Sequence, residues 1–279
     1  MKPAIVDLHW AAPQVMAIVN VTPDSFYAGS RTRTPETIER RILEAVGEGA
    51  TILDVGGYSS RPGAAEVPVE EEWARVKAGV GAARRLAPDA VVSVDTFRSE
   101  VARRVLDAFG PVIINDISAG ELDPQMLDVV ARYGVPYIAM HMKGDPQTMQ
   151  SLTEYRRDIT TEVVSYFRER VERFLAAGIR RERIILDPGF GFAKTVDQNY
   201  ELLSGLHRLC ELGFPVLAGL SRKSMIYKAL DTTPEESLAG TVALDWECLR
   251  QGARILRVHD VREAADTVRL FRIYEQNKH

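Results

Sequence analysis

Eight times along this chain a short apolar, β-branched run gives way to a longer amphipathic one, and nearly every apolar run closes on a polar residue or a glycine. The stretch RIILDPGFGFAK, residues 183–194, shows the pattern at its sharpest. Ile184, Ile185 and Leu186 suit a parallel strand buried on both faces. Asp187 follows at once, where the strand must end, because Pro188 cannot donate to a ladder and Gly189 and Gly191 favour a loop. A carboxylate at the end of a buried strand is costly unless paired. A planar donor edge, such as an amidine, would pair with it through two charge-assisted hydrogen bonds, each roughly 1.5–3 kcal/mol. Taken alone, Asp187 reads as a loop cap; repetition of the device along the chain argues for a shared site.

The candidate strands are 15–20, 51–55, 91–94, 112–114, 136–140, 184–187, 216–219 and 255–258. Helical patterns lie between them at 35–48, 69–86, 98–109, 123–133, 155–177, 198–212, 234–251 and 261–274. Thr34-Pro35 and Thr233-Pro234 each read as a cap followed by proline at the first helical position. Gly49, Gly134, Gly178 and Gly213 stand where a helix ends and a left-handed residue is wanted. Eight strand–helix units with short returns predict an α/β fold, a (β/α)8 TIM barrel, as a single domain over residues 1–279. About 12 residues precede the first strand. A doubly wound open sheet is the alternative. It would call for a Gly-rich dinucleotide fingerprint after the first strand, and would gather polar strand ends at one crevice; neither is present. The longest irregular pieces, 22–34, 56–68 and 141–153, all follow strands, on the face where barrel enzymes carry their loops.

A net charge of −4 over 279 residues excludes broad attraction to nucleic acid or membrane surfaces. No apolar stretch is long enough to cross a bilayer, and no signal-peptide pattern opens the chain, so a cytoplasmic protein is expected. Cys210 and Cys248 sit in helical patterns and read as reduced thiols. Any anion site must therefore be built locally from the strand ends. In order these are Asn20, Gly56-Gly57, Asp95, Asn115, Met140-His141, Asp187, Gly219 through Lys223, and Arg257 with His259. Asp95, Asn115 and Asp187 suit the edge of a flat nitrogen heterocycle. Arg61, Lys223, Arg257 and His259 are cationic or able to be, and suit phosphate. Both halves in one pocket point to a heterocycle carrying a phosphate or diphosphate leaving group. Individually, His259 also reads as a capping imidazole, Arg61 as a solvated charge, and Asn20 as a turn-former; His141 and His9 read as structural.

The pieces NVTPDSF (20–26), DVGGYSSRPGA (54–64), SVDTF (93–97), INDISAG (114–120), MHMKGDPQTMQ (140–150), DPGFGFAKT (187–195), GLSRKSMI (219–226), GTVAL (240–244) and RVHDV (257–261) run in order across nearly the whole chain. In this the sequence closely resembles the dihydropteroate synthases of the pterin-binding barrel family. The resemblance implies a transferase of folate biosynthesis that joins p-aminobenzoate to 6-hydroxymethyl-7,8-dihydropterin diphosphate and releases diphosphate. It implies that Asp187, Asn115 and Asp95 receive the pterin edge and that Lys223 reaches the ring carbonyl. Met140 and Phe192 would pack on the ring faces. Asn20, Arg257 and His259 would grip diphosphate, with Mg2+ at Asn20. Ser221, Arg222 and Lys223 would start a helix after the seventh strand and take the benzoate carboxylate. Asp24 on the first loop, and Ser60, Arg61 and Pro62 on the second, would complete the site. Sulfonamides, which resemble p-aminobenzoate, would compete there, and the protein would be a homodimer. The second loop departs from the family wording Gly-Gly-x-Ser-Thr-Arg-Pro-Gly, with Ser60 where Thr is commonest and Tyr58 where Glu is common. Two alternatives remain: a catalytically silent pterin-binding paralogue, and a methyltetrahydrofolate:corrinoid methyltransferase, which would not need Asn20, Arg61, Arg257 and His259 together.

Overall fold

The computed structural model describes residues 12–21, 35–58, 66–145 and 147–278. Among these, eight strands make one sheet in the order β6-β5-β4-β3-β2-β1-β8-β7. They are β1 (Gln14–Asn20), β2 (Ile52–Gly56), β3 (Val91–Asp95), β4 (Ile113–Asp116), β5 (Tyr137–Met140), β6 (Ile184–Asp187), β7 (Leu217–Ala218) and β8 (Ile255–Val258). Every pairing is parallel. The remaining gap between β6 and β7 is bridged at Leu186 and Val216, and the Leu186 N–H donates to Pro215 O at 2.9 Å. The sheet is thus a nearly closed barrel, as expected from the alternation of strands and helices.

Side chains two apart on a strand share a face. Met16, Ile52, Val91, Ile113, Ile138, Ile185, Leu217 and Ile255, one per strand, meet in a single apolar cluster. That cluster is the plug of the barrel. Two residues further along each strand the same inward face carries Ile18, Asp54, Ser93, Asn115, Met140, Asp187, Gly219 and Arg257. The strand period itself therefore stacks a mostly polar layer on an apolar one, towards the carboxyl ends.

The outer ring is α1 (Pro35–Gly47), α2 (Val69–Leu86), α3 (Ser99–Phe109), α4 (Gln125–Tyr133), α5 (Ile159–Ala176), α6 (Val196–Ser204), α7 (Leu206–Cys210), α8 (Ser224–Tyr227), α9 (Leu238–Arg250) and α10 (Val261–Gln276). In α3 the buried Val101, Ala102, Val105 and Leu106 fall at helical spacing and face the sheet. Each large one contributes about 1.5–3 kcal/mol by leaving water. No helix among the described residues is long and apolar enough to cross a membrane. Cys210 and Cys248 are free thiols. Gly49, Gly134, Gly178 and Gly213 all have positive φ, as their places after helical patterns require.

Four expectations are corrected. The helix expected at 198–212 is two helices, broken at Gly205, whose added Cβ would lie 2.6 Å from Thr160 Oγ1 on α5. The helix expected from 155 starts at Ile159, because Asp158 caps it by accepting from Thr161 N at 2.8 Å. Thr233-Pro234 opens a turn and not a helix: Pro234 O and Glu235 O accept from Arg222 Nη1 at 2.7 and 2.6 Å, and α9 begins only at Leu238. Ser221, Arg222 and Lys223 precede the four-residue α8 instead of starting it, with Arg222 at φ 54°. Thr34 lies outside the described residues.

Candidate active site

Side chains on four strands are tied across the lumen, and each tie joins two strands that are not neighbours in the sheet. Arg257 on β8 donates from Nε to Asp54 Oδ2 on β2 at 2.7 Å, and from Nη2 to Asp95 Oδ2 on β3 at 2.7 Å. Asn115 Nδ2 on β4 donates to the same Asp54 oxygen at 3.1 Å. Asp54 is fully buried; Arg257 and Asp95 are partly open to the mouth. Burial works against the Arg257 charge, but Asp54 and Asp95 outweigh it and raise its pKa. Burial pushes the Asp95 carboxyl up to about 7 even with Arg257 opposing, helped by Asp54. Asp54 was not singled out from the sequence, because it stands inside the apolar run ILDV. The signal was there: a charge two residues after Ile52, on the plug's face, must have a partner.

Asp187 ends β6 with 6% exposure, and its Oδ1 accepts from Gly189 N at 2.8 Å. Burial raises its pKa, while Lys223, Gly189 and Arg257 pull the other way. Lys223 donates from Nζ to Phe190 O and stands 4.5 Å over the Phe192 ring. Burial draws the Lys223 ammonium down to about 8, with Asp187 holding it up. Gly191 leaves room for this arm, since a Cβ there would lie 3.2 Å from Lys223 Cδ. Met140, Ile117, Met142, Met149 and Ala193 form a separate apolar cluster, with Phe97 and Phe192 packed against it. This makes an apolar wall beside the acids, apart from the barrel plug.

His259 follows β8. Its backbone N–H donates to Ser221 Oγ at 3.2 Å, and the Ser221 hydroxyl faces His259 Nδ1 at 3.1 Å. Burial, with Arg257 close by, pulls the imidazole down to about 3. In the ligand-free protein His259 is therefore neutral at pH 7; an anion bound beside it would favour the charged form. Arg222, expected at a helix start, is instead locked to Asp260 by two bonds of 2.8 and 2.9 Å. Asn20 ends β1 beside Gly56, where a Cβ would lie 3.5 Å from both Asn20 Oδ1 and Asp95 Cβ; the glycine keeps this corner open.

Asp24, Ser60, Arg61 and Pro62 lie outside the described residues. Both flanks of the second loop are described. Arg98 Nη1 donates to Val67 O at 2.6 Å and to Glu72 Oε2 at 2.8 Å, and its guanidinium stands 5.1 Å from the Tyr58 ring. Tyr58 in turn meets Phe97 edge-on at 5.1 Å. The tyrosine that departs from the family wording thus stacks under an arginine that also holds the loop's far end. The sequence reads His141 as structural and gives Lys194 no role. Lys194 Nζ lies 3.0 Å from His141 Nδ1 and donates to Gly189 O and Phe192 O at 3.0 and 2.9 Å.

The residues brought together are therefore Asp95, Asn115, Asp187, Met140, Phe192, Lys223 and Arg257, with Asn20, Ser221 and His259 at the rim. An acid-lined edge, an apolar wall and two cations suit a planar, hydrogen-bonding heterocycle with an anionic tail. Among the described residues there is no group of three His, Cys, Asp or Glu able to hold a metal.

Comparison with known proteins agrees with this geometry. The family model described as "Pterin binding enzyme" matches residues 16–259. The dihydropteroate synthase of Escherichia coli K12 is 44% identical over 264 residues, covering 94% of this chain and 92% of that one. The Yersinia pestis dihydropteroate synthase, solved with a sulfonamide drug complex, superposes with a TM-score of 0.91 at 38% identity and 97% coverage of both chains. The Xanthomonas albilineans dihydropteroate synthase, solved with 4-aminobenzoic acid, gives 0.84 at 43% identity, covering 96% of this chain and 95% of that one.

Proposed function

This chain belongs to the pterin-binding enzyme family and works as a dihydropteroate synthase, and from that membership we propose how its barrel mouth carries out the reaction. The pterin diphosphate loses its methylene C–O bond, diphosphate departs with the bonding pair, and the p-aminobenzoate nitrogen forms the new C–N bond and gives up one proton. No protein nucleophile is needed. The observation that carries the reading is the convergence of Asp95, Asn115, Asp187, Lys223 and Arg257 above one apolar plug. Asp187 takes the pterin 2-amino and N3 edge; two donors there favour its ionised form against burial. Asp95 and Asn115 hold the remaining ring nitrogens, and Lys223 the ring carbonyl. Phe192 and Met140 enclose the ring.

The diphosphate lies towards Arg257, whose Nε and Nη2 are already committed to carboxylates, leaving Nη1 for an incoming oxygen. Ser221 and His259 add hydrogen-bond donors at the rim. Asn20 fits Mg2+, a hard cation that takes few protein ligands beside phosphate and water. When bound, Mg2+ would offset charge on the leaving group. The work of the chain is positioning and electrostatics, with p-aminobenzoate held against the pterin methylene by the loops bearing Asp24 and Ser60, Arg61 and Pro62. We place the enzyme in the cytoplasm, a reading that the free thiols Cys210 and Cys248 suit.

We also propose a homodimer, because Leu270, Ile273 and Tyr274 lay an exposed apolar stripe along α10; light scattering that shows a monomer at working concentration refutes it. The reaction is tested by following diphosphate release from the pterin diphosphate with Mg2+, with and without p-aminobenzoate, and identifying the product by mass. Release that requires p-aminobenzoate and yields dihydropteroate is expected. Pterin binding with no release would instead favour the silent paralogue.

A further inference from the structure

Lys194 takes no part in the reaction set out above, yet it is 5% exposed and every donor of its ammonium has an acceptor. Those acceptors are His141 Nδ1 at 3.0 Å, Gly189 O at 3.0 Å and Phe192 O at 2.9 Å. The loop it spans is not one the chain would hold unaided. Gly189, Gly191 and Ala193 all have positive φ, at 69°, 79° and 52°. Ala193 in that region is strained by roughly 1–2 kcal/mol and persists only where its surroundings impose it.

The loop leads straight into the pterin pocket. Its Gly189 N–H is the donor to Asp187 Oδ1, its Phe190 carbonyl is the acceptor of Lys223, and its Phe192 ring lies beneath the Lys223 ammonium. The β5 end is joined to the same unit. His141 N donates to Asp187 O at 2.9 Å, and a Cβ on Gly189 would fall 2.1 Å from His141 O. Asn199 completes the frame by accepting from Gly191 N at 2.7 Å.

We propose that Lys194, seated on His141 and two loop carbonyls, is a positioning residue that fixes Asp187, Phe192 and Lys223 in the geometry that receives the pterin. The pair is chemically consistent. Burial pulls His141 well below its ordinary pKa, so its Nδ1 is free to accept, and Lys194 is the donor. Burial also draws Lys194 down to about 7, and Asp187 acts against that pull. The acid that meets the substrate thus helps to keep the lysine charged. The inference rests on the pterin-binding reading of the site.

The test is calorimetric titration of the full-length protein with 6-hydroxymethyl-7,8-dihydropterin diphosphate, beside steady-state kinetics and thermal melting. Lys194→Met keeps length and loses every donor. It should weaken pterin binding about tenfold, the loss of a bond to a charged group, while KM for p-aminobenzoate stays within about twofold. His141→Leu should weaken pterin binding similarly. His141→Asn, which returns an acceptor, should bring binding back to within about threefold of wild type. Should Lys194→Met not fold, Lys194→Gln and the His141 pair carry the same comparison. Wild-type pterin affinity in folded Lys194→Met or His141→Leu overturns the proposal. So does an equal loss for both substrates, or no recovery with His141→Asn. Failure of the wild type itself to bind pterin would overturn the functional reading instead.

Discussion

Arg257 Nε and Asp54 Oδ2 meet at 2.7 Å across the barrel lumen, from strands that are separated by β1. Asp54 contributes no edge to the proposed substrate; its role is to aim the guanidinium that also holds Asp95. Removing one member of a buried ion pair costs about 3–5 kcal/mol, because the other charge is left without compensation. Asp54→Ala should therefore lower the melting temperature markedly. Asp54→Asn keeps the volume and one neutral acceptor, so it should fold while losing roughly tenfold to a hundredfold in kcat/KM for the pterin diphosphate. Steady-state kinetics beside thermal denaturation separates the two effects. An Asp54→Asn enzyme with full kcat/KM would mean that Arg257 is oriented without it.

Asp187→Asn should abolish most pterin affinity without cost to the fold. The wild-type carboxylate is disfavoured by burial, which raises its pKa, so a neutral amide relieves a penalty in the ligand-free protein. The amide cannot take two donors from a pterin edge as the carboxylate can, and the loss should exceed about a hundredfold at roughly 1.5–3 kcal/mol per bond. Calorimetry gives the affinity and melting the stability. Near-normal binding by this variant would place the pterin elsewhere in the barrel.

The barrel itself was legible because two periods coincide. Alternation of strand with helix set the element order, and the residue closing each apolar run marked the mouth. Failures occurred where a distant contact decides a local conformation. Gly205 breaks a helix because Thr160 is pressed against it, and nothing near residue 205 announces that. Arg222 sits at φ 54° and withholds a helix start because Asp260 and two carbonyls across the loop claim its guanidinium. Asp54 escaped notice for a different reason: an acid inside a buried run resembles the run. Its partner lies 203 positions along the chain, and only closure of the barrel brings them together.

The stability of the ligand-free protein should carry an acid-range signature of Asp95. Its folded pKa, pushed up to about 7 by burial with Arg257 opposing, lies above the unfolded value near 3.8. Between those values the folded state holds a proton that the unfolded state has lost, so this group's contribution falls as pH rises. Asp95→Asn removes the titration. Relative to wild type, the variant should gain stability as pH rises from about 4 towards about 7 and change little beyond. Denaturant melts of both proteins across that range decide it; parallel curves would mean that Asp95 titrates normally.

Sulfonamide binding should depend on diphosphate. The loops bearing Asp24, Ser60, Arg61 and Pro62 are proposed to complete the p-aminobenzoate pocket, and a competitor of p-aminobenzoate needs the same pocket assembled. Calorimetric titration of a sulfonamide should show weak binding alone and at least about tenfold tighter binding with diphosphate and Mg2+ present, a coupling of roughly 1.4 kcal/mol. Equal affinity in both conditions would mean that the pocket exists without the anion.

Arg98 should matter to p-aminobenzoate more than to the pterin. It holds the two flanks of the second loop at once, through the Tyr58 ring at 5.1 Å and the Val67 carbonyl at 2.6 Å. It is also the cation for the fully buried Glu72, whose other oxygen accepts from Thr96 Oγ1 at 2.6 Å. Burial raises the Glu72 pKa despite Thr96 and Arg98, so this carboxylate depends on both. Arg98→Ala should cost about 3 kcal/mol or more in stability, and should raise KM for p-aminobenzoate well above any change in KM for the pterin diphosphate. Tyr58→Glu restores the commoner family residue and exchanges a cation–π contact for an ion pair with Arg98. Both are worth about 1 kcal/mol at a partly exposed site, so stability and both KM values should hardly move. Kinetics with each substrate varied in turn distinguishes the two roles. If Arg98→Ala raised both KM values alike, Arg98 would be serving the barrel and not the loop.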